Sequence, residues 1–173
     1  MKITLITGSA GLVGSEVAMF FKDKFDLIIG IDNNMRAEFF GEEASTEWNR
    51  KRLEETIPNY KHYDVDIRDE KAIEKIFLKY KEDIDVVIHA AAQPSHDWAA
   101  KEPFTDFTIN AVGTLNILEN MRKYSPKAKL AFLSTNKVYG DRPNLLPLLE
   151  MKNRYEISKK HKYFNKGISE TMS

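Results

Sequence analysis

The sequence contains no cysteine. Disulfides, a thiolate nucleophile and cysteine-ligated zinc are therefore excluded, and no metal site is expected. An excess of either charge is also lacking: 26 Lys and Arg face 26 Asp and Glu, for a formal net charge of +0. No global field draws such a chain to nucleic acid or to an anionic membrane surface. Long hydrophobic runs are missing too, and no stretch approaches the roughly 18 apolar residues of a membrane span. The short apolar run at residues 3–6 meets a glycine loop rather than a small-residue cleavage site, so no signal peptide is expected. These absences predict a cytoplasmic globular protein, and 173 residues are enough to bury a core in one domain. The lysines near the C-terminus (Lys159, Lys160, Lys162, Lys166) read as solvated surface.

What is present is an alternation of strand and helix patterns. Residues 2–7, 27–31, 60–65, 85–89 and 129–134 read as buried strands. Between them lie helical patterns at 11–22, 46–57, 69–80 and 103–124, with 33–45 read as irregular. Asp69 is placed to cap the third helix, whose inner face is Ala72, Ile73, Ile76, Phe77 and Tyr80. On the long helix the pattern turns Phe107, Val112, Leu115, Leu118 and Met121 inward. Apolar strands separated by amphipathic helices predict an α/β fold, a Rossmann-type doubly wound parallel sheet of about five strands. After Gly140 the alternation stops, so the expected division is a Rossmann domain at 1–140 and an irregular segment at 141–173. Such sheets often have six or seven strands, which makes the chain read as the front half of a larger protein.

Gly8-Ser9-Ala10-Gly11-Leu12-Val13-Gly14 follows the first strand directly and opens a helix. Gly8 permits a sharp turn, Gly11 lets backbone N–H groups approach a diphosphate, and Gly14 lets the helix pack closely. The positive end of the helix dipole then faces the phosphates. Tight-turn glycines without a ligand are the plainer alternative, but Asp32 ends the next strand. A carboxylate there accepts the hydroxyls of an adenosine ribose and repels a 2′-phosphate, which favours NAD over NADP. Arg36 reads as a surface arginine.

The Gly-x-x-Gly-x-x-Gly spacing resembles the extended short-chain dehydrogenase/reductase superfamily, the branch of NAD-dependent nucleotide-sugar epimerases and dehydratases. Further matches follow in order. Asp66-Ile67 resembles the pair bordering the adenine, with Asn33 beside Asp32 on the same side. His89-Ala90-Ala91-Ala92-Gln93 resembles the small-residue loop that lies against the cofactor. Asn110-Ala111-Val112-Gly113-Thr114 resembles the helix motif whose Asn steadies the central sheet near the cofactor. Ser134-Thr135-Asn136-Lys137-Val138-Tyr139-Gly140 resembles the active-site strand end, where Thr135 would hold the reacting hydroxyl and Ser134 border the cofactor. With Asn33-Asn34-Met35-Arg36, this run is most similar to the CDP-paratose 2-epimerase-like group. Each residue also has a plain structural reading, as a turn, a cap or close packing.

The resemblance implies a nucleotide-sugar substrate, transient hydride transfer to NAD and pairing of two chains as a homodimer. It also implies a Tyr-x-x-x-Lys pair, and Tyr155-Glu156-Ile157-Ser158-Lys159 matches literally. That pair reads as a decoy, because residues 160–167 carry no sustained apolar stripe and soon reach Gly167. On this reading the base and the C-terminal substrate domain lie outside the chain. The alternative is a non-catalytic NAD-binding module or partner subunit.

Overall fold

A computed structural model describes residues 1–172. The chain divides into two compact units, Met1–Leu133 and the residues from Ser134 onward.

In the first unit five strands form one sheet: β1 (Ile3–Thr7), β2 (Leu27–Ile31), β3 (Tyr60–Tyr63), β4 (Ile84–His89) and β5 (Lys129–Phe132). Their order is β3-β2-β1-β4-β5, and every neighbouring pair is parallel. The expected α/β doubly wound sheet of about five strands is thus observed. The order reverses between β1 and β4, and a doubly wound sheet opens its crevice at that switch point, beyond the carboxyl ends of the strands. β1 is buried along its whole length, as its Ile-Thr-Leu-Ile-Thr run requires of a strand covered on both faces.

Alternation along the strands divides the core in two. Ile3, Leu5, Ile29 and Ile31 pack with Ile73, Phe77 and Ile117 on one face. Ile6 and Ile28 pack with Ala18, Leu53 and Ile57 on the other. The helices that cover them are α1 (Leu12–Phe21), α3 (Glu47–Thr56), α4 (Glu70–Tyr80) and α7 (Thr114–Tyr124), with short α2 (Met35–Phe40), α5 (His96–Lys101) and α6 (Pro103–Phe107) at the strand ends. Asp69 caps α4 by accepting from the Ala72 N–H at 3.0 Å. Ile73, Ile76, Phe77 and Tyr80 are buried, as their spacing predicts.

The long helix expected at 103–124 differs in two ways. It is divided by a π-helical stretch, Thr108–Gly113, which shifts the register between α6 and α7. Its buried stripe is Ile109, Gly113, Ile117 and Met121. Phe107 is 63% exposed and Leu115 56%, and Val112 and Leu118 also face outward; only Met121 of the expected inner set is buried. The helix carries two apolar stripes, and close approach decides between them. A Cβ on Gly113 would lie 2.6 Å from Ile67 Cδ1, so only the bare glycine side packs this tightly. Asn116 fixes the same orientation by donating to the Ile67 carbonyl at 2.9 Å. The stretch at 33–45, expected to be irregular, contains α2. β3 and β5 end earlier than expected, at Tyr63 and Phe132.

The second unit has short 3₁₀ turns at Asn136–Tyr139 and Arg142–Leu145 and an antiparallel hairpin, β6 (Leu148–Glu150) with β7 (Tyr155–Ile157). The segment expected to be irregular therefore contains one hairpin. Among the described residues no helix is long and apolar enough to cross a membrane.

Candidate functional site

The glycine loop lies where the sheet order reverses. Gly8 adopts φ +66, and a Cβ there would stand 2.8 Å from the Ala91 nitrogen and 2.9 Å from the Ala90 carbonyl. The loop after β1 and the loop after β4 thus touch through a space that admits no side chain. At the helix end, a Cβ on Gly14 would fall 2.1 Å from the Gly8 carbonyl oxygen. The first helical hydrogen bond of α1 runs from the Ser15 N–H to the Gly11 carbonyl at 3.0 Å. The N–H groups of Leu12, Val13 and Gly14 lie ahead of it and have no intrahelical acceptor. Leu12 and Val13 border a cavity of about 270 Å³ that begins at this turn.

Asp32 closes one side of that cavity. Its Oδ2 accepts from the Ala10 N–H at 3.0 Å and its Oδ1 from the Asn34 N–H at 2.9 Å. A carboxylate has about four lone-pair directions, so each oxygen keeps one for a ligand hydroxyl. Asn34 sits in the left-handed region at φ 55, which Asn tolerates better than most residues. Its side-chain oxygen accepts from the Thr46 N–H at 2.8 Å, and its amide donates to Ser45 Oγ at 2.9 Å. These bonds tie the two ends of the 34–46 segment together. Beside it, burial raises the Asp66 pKa, but hydrogen bonds from Arg68, at 3.0 Å from Nε and 2.6 Å from Nη2, outweigh burial and lower it overall.

The opposite wall is the loop Ala90-Ala91-Ala92. Behind it, His89 is 2% exposed and bonded on both sides. The Thr114 hydroxyl donates to the Asn110 carbonyl at 2.7 Å, so at its 2.9 Å contact with His89 Nε2 it must accept. Nδ1 is then the bare nitrogen and accepts from the Thr7 hydroxyl at 2.7 Å. Thr7 Oγ1 in turn accepts from the Ala91 N–H at 3.1 Å. The geometry thus places the proton of the neutral imidazole on Nε2. Burial lowers the His89 pKa to about 4, in keeping with that form. Asn110 holds the next residue of the loop, accepting from the Gln93 N–H at 2.9 Å and donating to the Gln93 carbonyl at 3.2 Å.

Of the residues expected from sequence, Gly8, Gly11, Leu12, Val13, Gly14, Asp32, Asn33, Asp66, Ile67, Ala90, Ala91 and Ala92 line this one cavity. Gln93 and Asn110 stand behind its wall, the Gln93 amide turned to the Ser95 carbonyl and Asp106. Ser134, Thr135, Tyr155 and Lys159 belong to the second unit. There Thr135 Oγ1 accepts from the Lys137 N–H at 3.2 Å. Tyr155 lies on strand β7 and is 67% exposed, and Lys159 follows in a turn, so the two are not one helical turn apart.

Sequence reading missed Met35, Phe39, Phe40, Val65, Pro94 and Ile109, which add an apolar lining, and the polar Thr46. It also missed two residues that brace the glycine loop from outside. Asn49, 4% exposed on α3, donates to the Ala10 carbonyl at 2.7 Å. Tyr60 on β3 donates to Ser9 Oγ at 2.9 Å, passing over Gly30, where a Cβ would meet the Tyr60 hydroxyl at 1.9 Å. A lone glycine within a strand was the available signal for that close approach.

The cavity suits a dinucleotide. Glycine cradles admit backbone N–H groups to a diphosphate, Asp32 offers acceptors to a ribose, and an apolar lining suits flat rings. Comparison with known proteins agrees, since residues 4–163 match the model of the NAD dependent epimerase/dehydratase family. The chain belongs to that family. Its relatives include the CDP-paratose 2-epimerase of Salmonella typhi, 35% identical over 79% of this chain and 38% of the relative. The human UDP-glucose 4-epimerase is 33% identical over 84% of this chain and 40% of its own length. Among solved structures, the UDP-glucose 4-epimerase of Bifidobacterium longum in complex with NAD+ and UDP aligns with a TM-score of 0.67 and 26% identity. That alignment covers 91% of this chain and 43% of the other. The chain therefore spans about two fifths of the length of the relatives it matches.

Proposed function

We propose that this chain is the NAD-binding portion of a nucleotide-sugar epimerase or dehydratase. The observation that carries this reading is Asp32, fixed between the Ala10 and Asn34 N–H groups at the rim of the glycine-loop cavity. Leu12 and Val13 at the start of α1 would hold the diphosphate through their backbone N–H groups, Asp32 the adenosine ribose, and Ile67 with Val65 the adenine. Ala90, Ala91 and Ala92 would lie along the nicotinamide half, kept in place by Thr7, His89 and Asn110. NAD held there would supply a reversible hydride acceptor, the chemistry by which oxidation of a sugar hydroxyl makes a neighbouring C–H acidic enough for inversion or elimination. Thr135 would orient the sugar hydroxyl.

A second reading, a non-catalytic NAD-binding module, is favoured by one observation. Tyr155 and Lys159 lie on extended and turn backbone, so among the described residues this pair offers no base in helical register. Both readings need the cofactor. Asp32→Ala is expected to weaken NAD binding at least about 30-fold, since it removes charge-assisted hydrogen bonds worth about 2 kcal/mol or more. Calorimetric titration checks this, and unchanged affinity would contradict both readings.

A further inference from the structure

Asp32 is a wall between two cavities. On its far side lies a second space of about 250 Å³, lined by polar groups that include Glu47, Arg50, His62 and Asp64. A ribose held at Asp32 in the first cavity would direct a 2′-phosphate past the carboxylate into this second one. Among the described residues that line it, Arg50 is the one Lys or Arg, and a guanidinium beside the ribose is the group that elsewhere accommodates that phosphate.

Arg50, however, is already occupied. Its Nε donates to Glu47 Oε2 at 2.8 Å and its Nη2 to Glu47 Oε1, so the forked edge suited to a phosphate is filled by a carboxylate. Its Nη1 donates to both oxygens of Glu54 at 2.9 Å. Asp32 and Asp64 add negative charge around the same space, and burial, with Arg50, lowers the His62 pKa.

We infer that Glu47 determines cofactor specificity: by filling the forked edge of Arg50 it makes the cavity behind Asp32 refuse the 2′-phosphate of NADP. This rests on the reading that the neighbouring cleft holds the adenosine of NAD. The preference for NAD then has two independent bars, and removing Asp32 lifts only the first. Glu54 grips the other nitrogen of Arg50, so losing Glu47 frees the Nε and Nη2 pair while the side chain stays anchored.

The test is calorimetric titration of NAD and of NADP into four proteins: wild type, Asp32→Ala, Asp32→Ala/Glu47→Ala, and that double variant with Arg50→Ala. Circular dichroism melting confirms that each is folded. Wild type is expected to bind NAD and refuse NADP, and Asp32→Ala to lose NAD without accepting NADP. The double variant is expected to bind NADP about 10- to 100-fold more tightly than Asp32→Ala, the scale of a freed charge-assisted fork. Arg50→Ala should abolish that gain. NADP binding by Asp32→Ala as tight as by the double variant overturns the inference, as does a gain that survives Arg50→Ala. NAD binding by wild type keeps the underlying reading intact in both cases. If no protein binds either cofactor, that reading falls together with the inference.

Discussion

Gly14→Ala is expected to destabilise the protein by about 2 kcal/mol and to remove NAD binding with it. Alanine would gain about 1 kcal/mol of helix propensity at this position in α1. Against that stands overpacking that reaches about 3 kcal/mol where nothing can yield. Nothing yields here, because the new Cβ would stand 2.1 Å from the Gly8 carbonyl oxygen and 2.8 Å from both the Gly8 carbonyl carbon and Ser9 Cα. All three are backbone atoms of the loop that must cradle the diphosphate. Relieving the clash moves the Leu12 and Val13 N–H groups away from the cavity, so affinity for NAD should fall at least about 100-fold, the cost of two such hydrogen bonds. Gly11→Ala is the comparison: its Cβ meets only the Gly8 oxygen, at 3.2 Å, and its φ of −70 suits any residue. It should melt close to wild type yet bind NAD more weakly, because its methyl occupies the approach to the phosphates. Urea unfolding and calorimetry on the two variants check both halves, and equal stabilities would contradict the packing account.

Acid is expected to loosen the protein through His89. Its folded pKa of about 4 lies below the ordinary histidine value of 6.5. The unfolded chain therefore takes up the proton first, and stability falls as pH drops through the window from 6.5 to about 4. A shift of that size is worth about 3 kcal/mol, a large fraction of the stability of a small domain. Above pH 6.5 the contribution is fully present. The structural reason is that a proton on Nδ1 would face the Thr7 oxygen, whose hydrogen already points at that nitrogen. Thr7 must then turn away and the anchor of the Ala91 N–H shifts with it. His89→Gln should start less stable at pH 7 and lose less between pH 7 and 4.5 than wild type. Urea titrations at the two pH values decide it, and parallel losses in both proteins would show that other groups carry the acid response.

The parts of this fold that sequence makes legible are those encoded locally. The five strands, the cap at Asp69 and the buried stripe of α4 follow from short-range pattern. So does the glycine loop, since its spacing, the preceding strand and the carboxylate after β2 all lie within residues 1–32. The helix after Pro103 shows where pattern fails. Phe107, Leu115 and Leu118 are as periodic as Ile109, Ile117 and Met121, and periodicity does not choose between two apolar stripes. The choice was made by the fit of Gly113 on Ile67, a contact between distant segments. Asn49 and Tyr60 were illegible for the same reason: each braces the glycine loop only after α3 and β3 have packed beside it. The apolar lining from α2 was hidden because an irregular segment was expected where Met35 and Phe39 turn inward on a short helix.

Hydrogen exchange with and without NAD tests the central claim most directly, because it reports where the cofactor lies as well as whether it binds. Slowed exchange is predicted at residues 8–14, 32–40 and 90–93, with α4 unchanged. Protection absent from the glycine loop, or spread evenly over the sheet, would contradict the account.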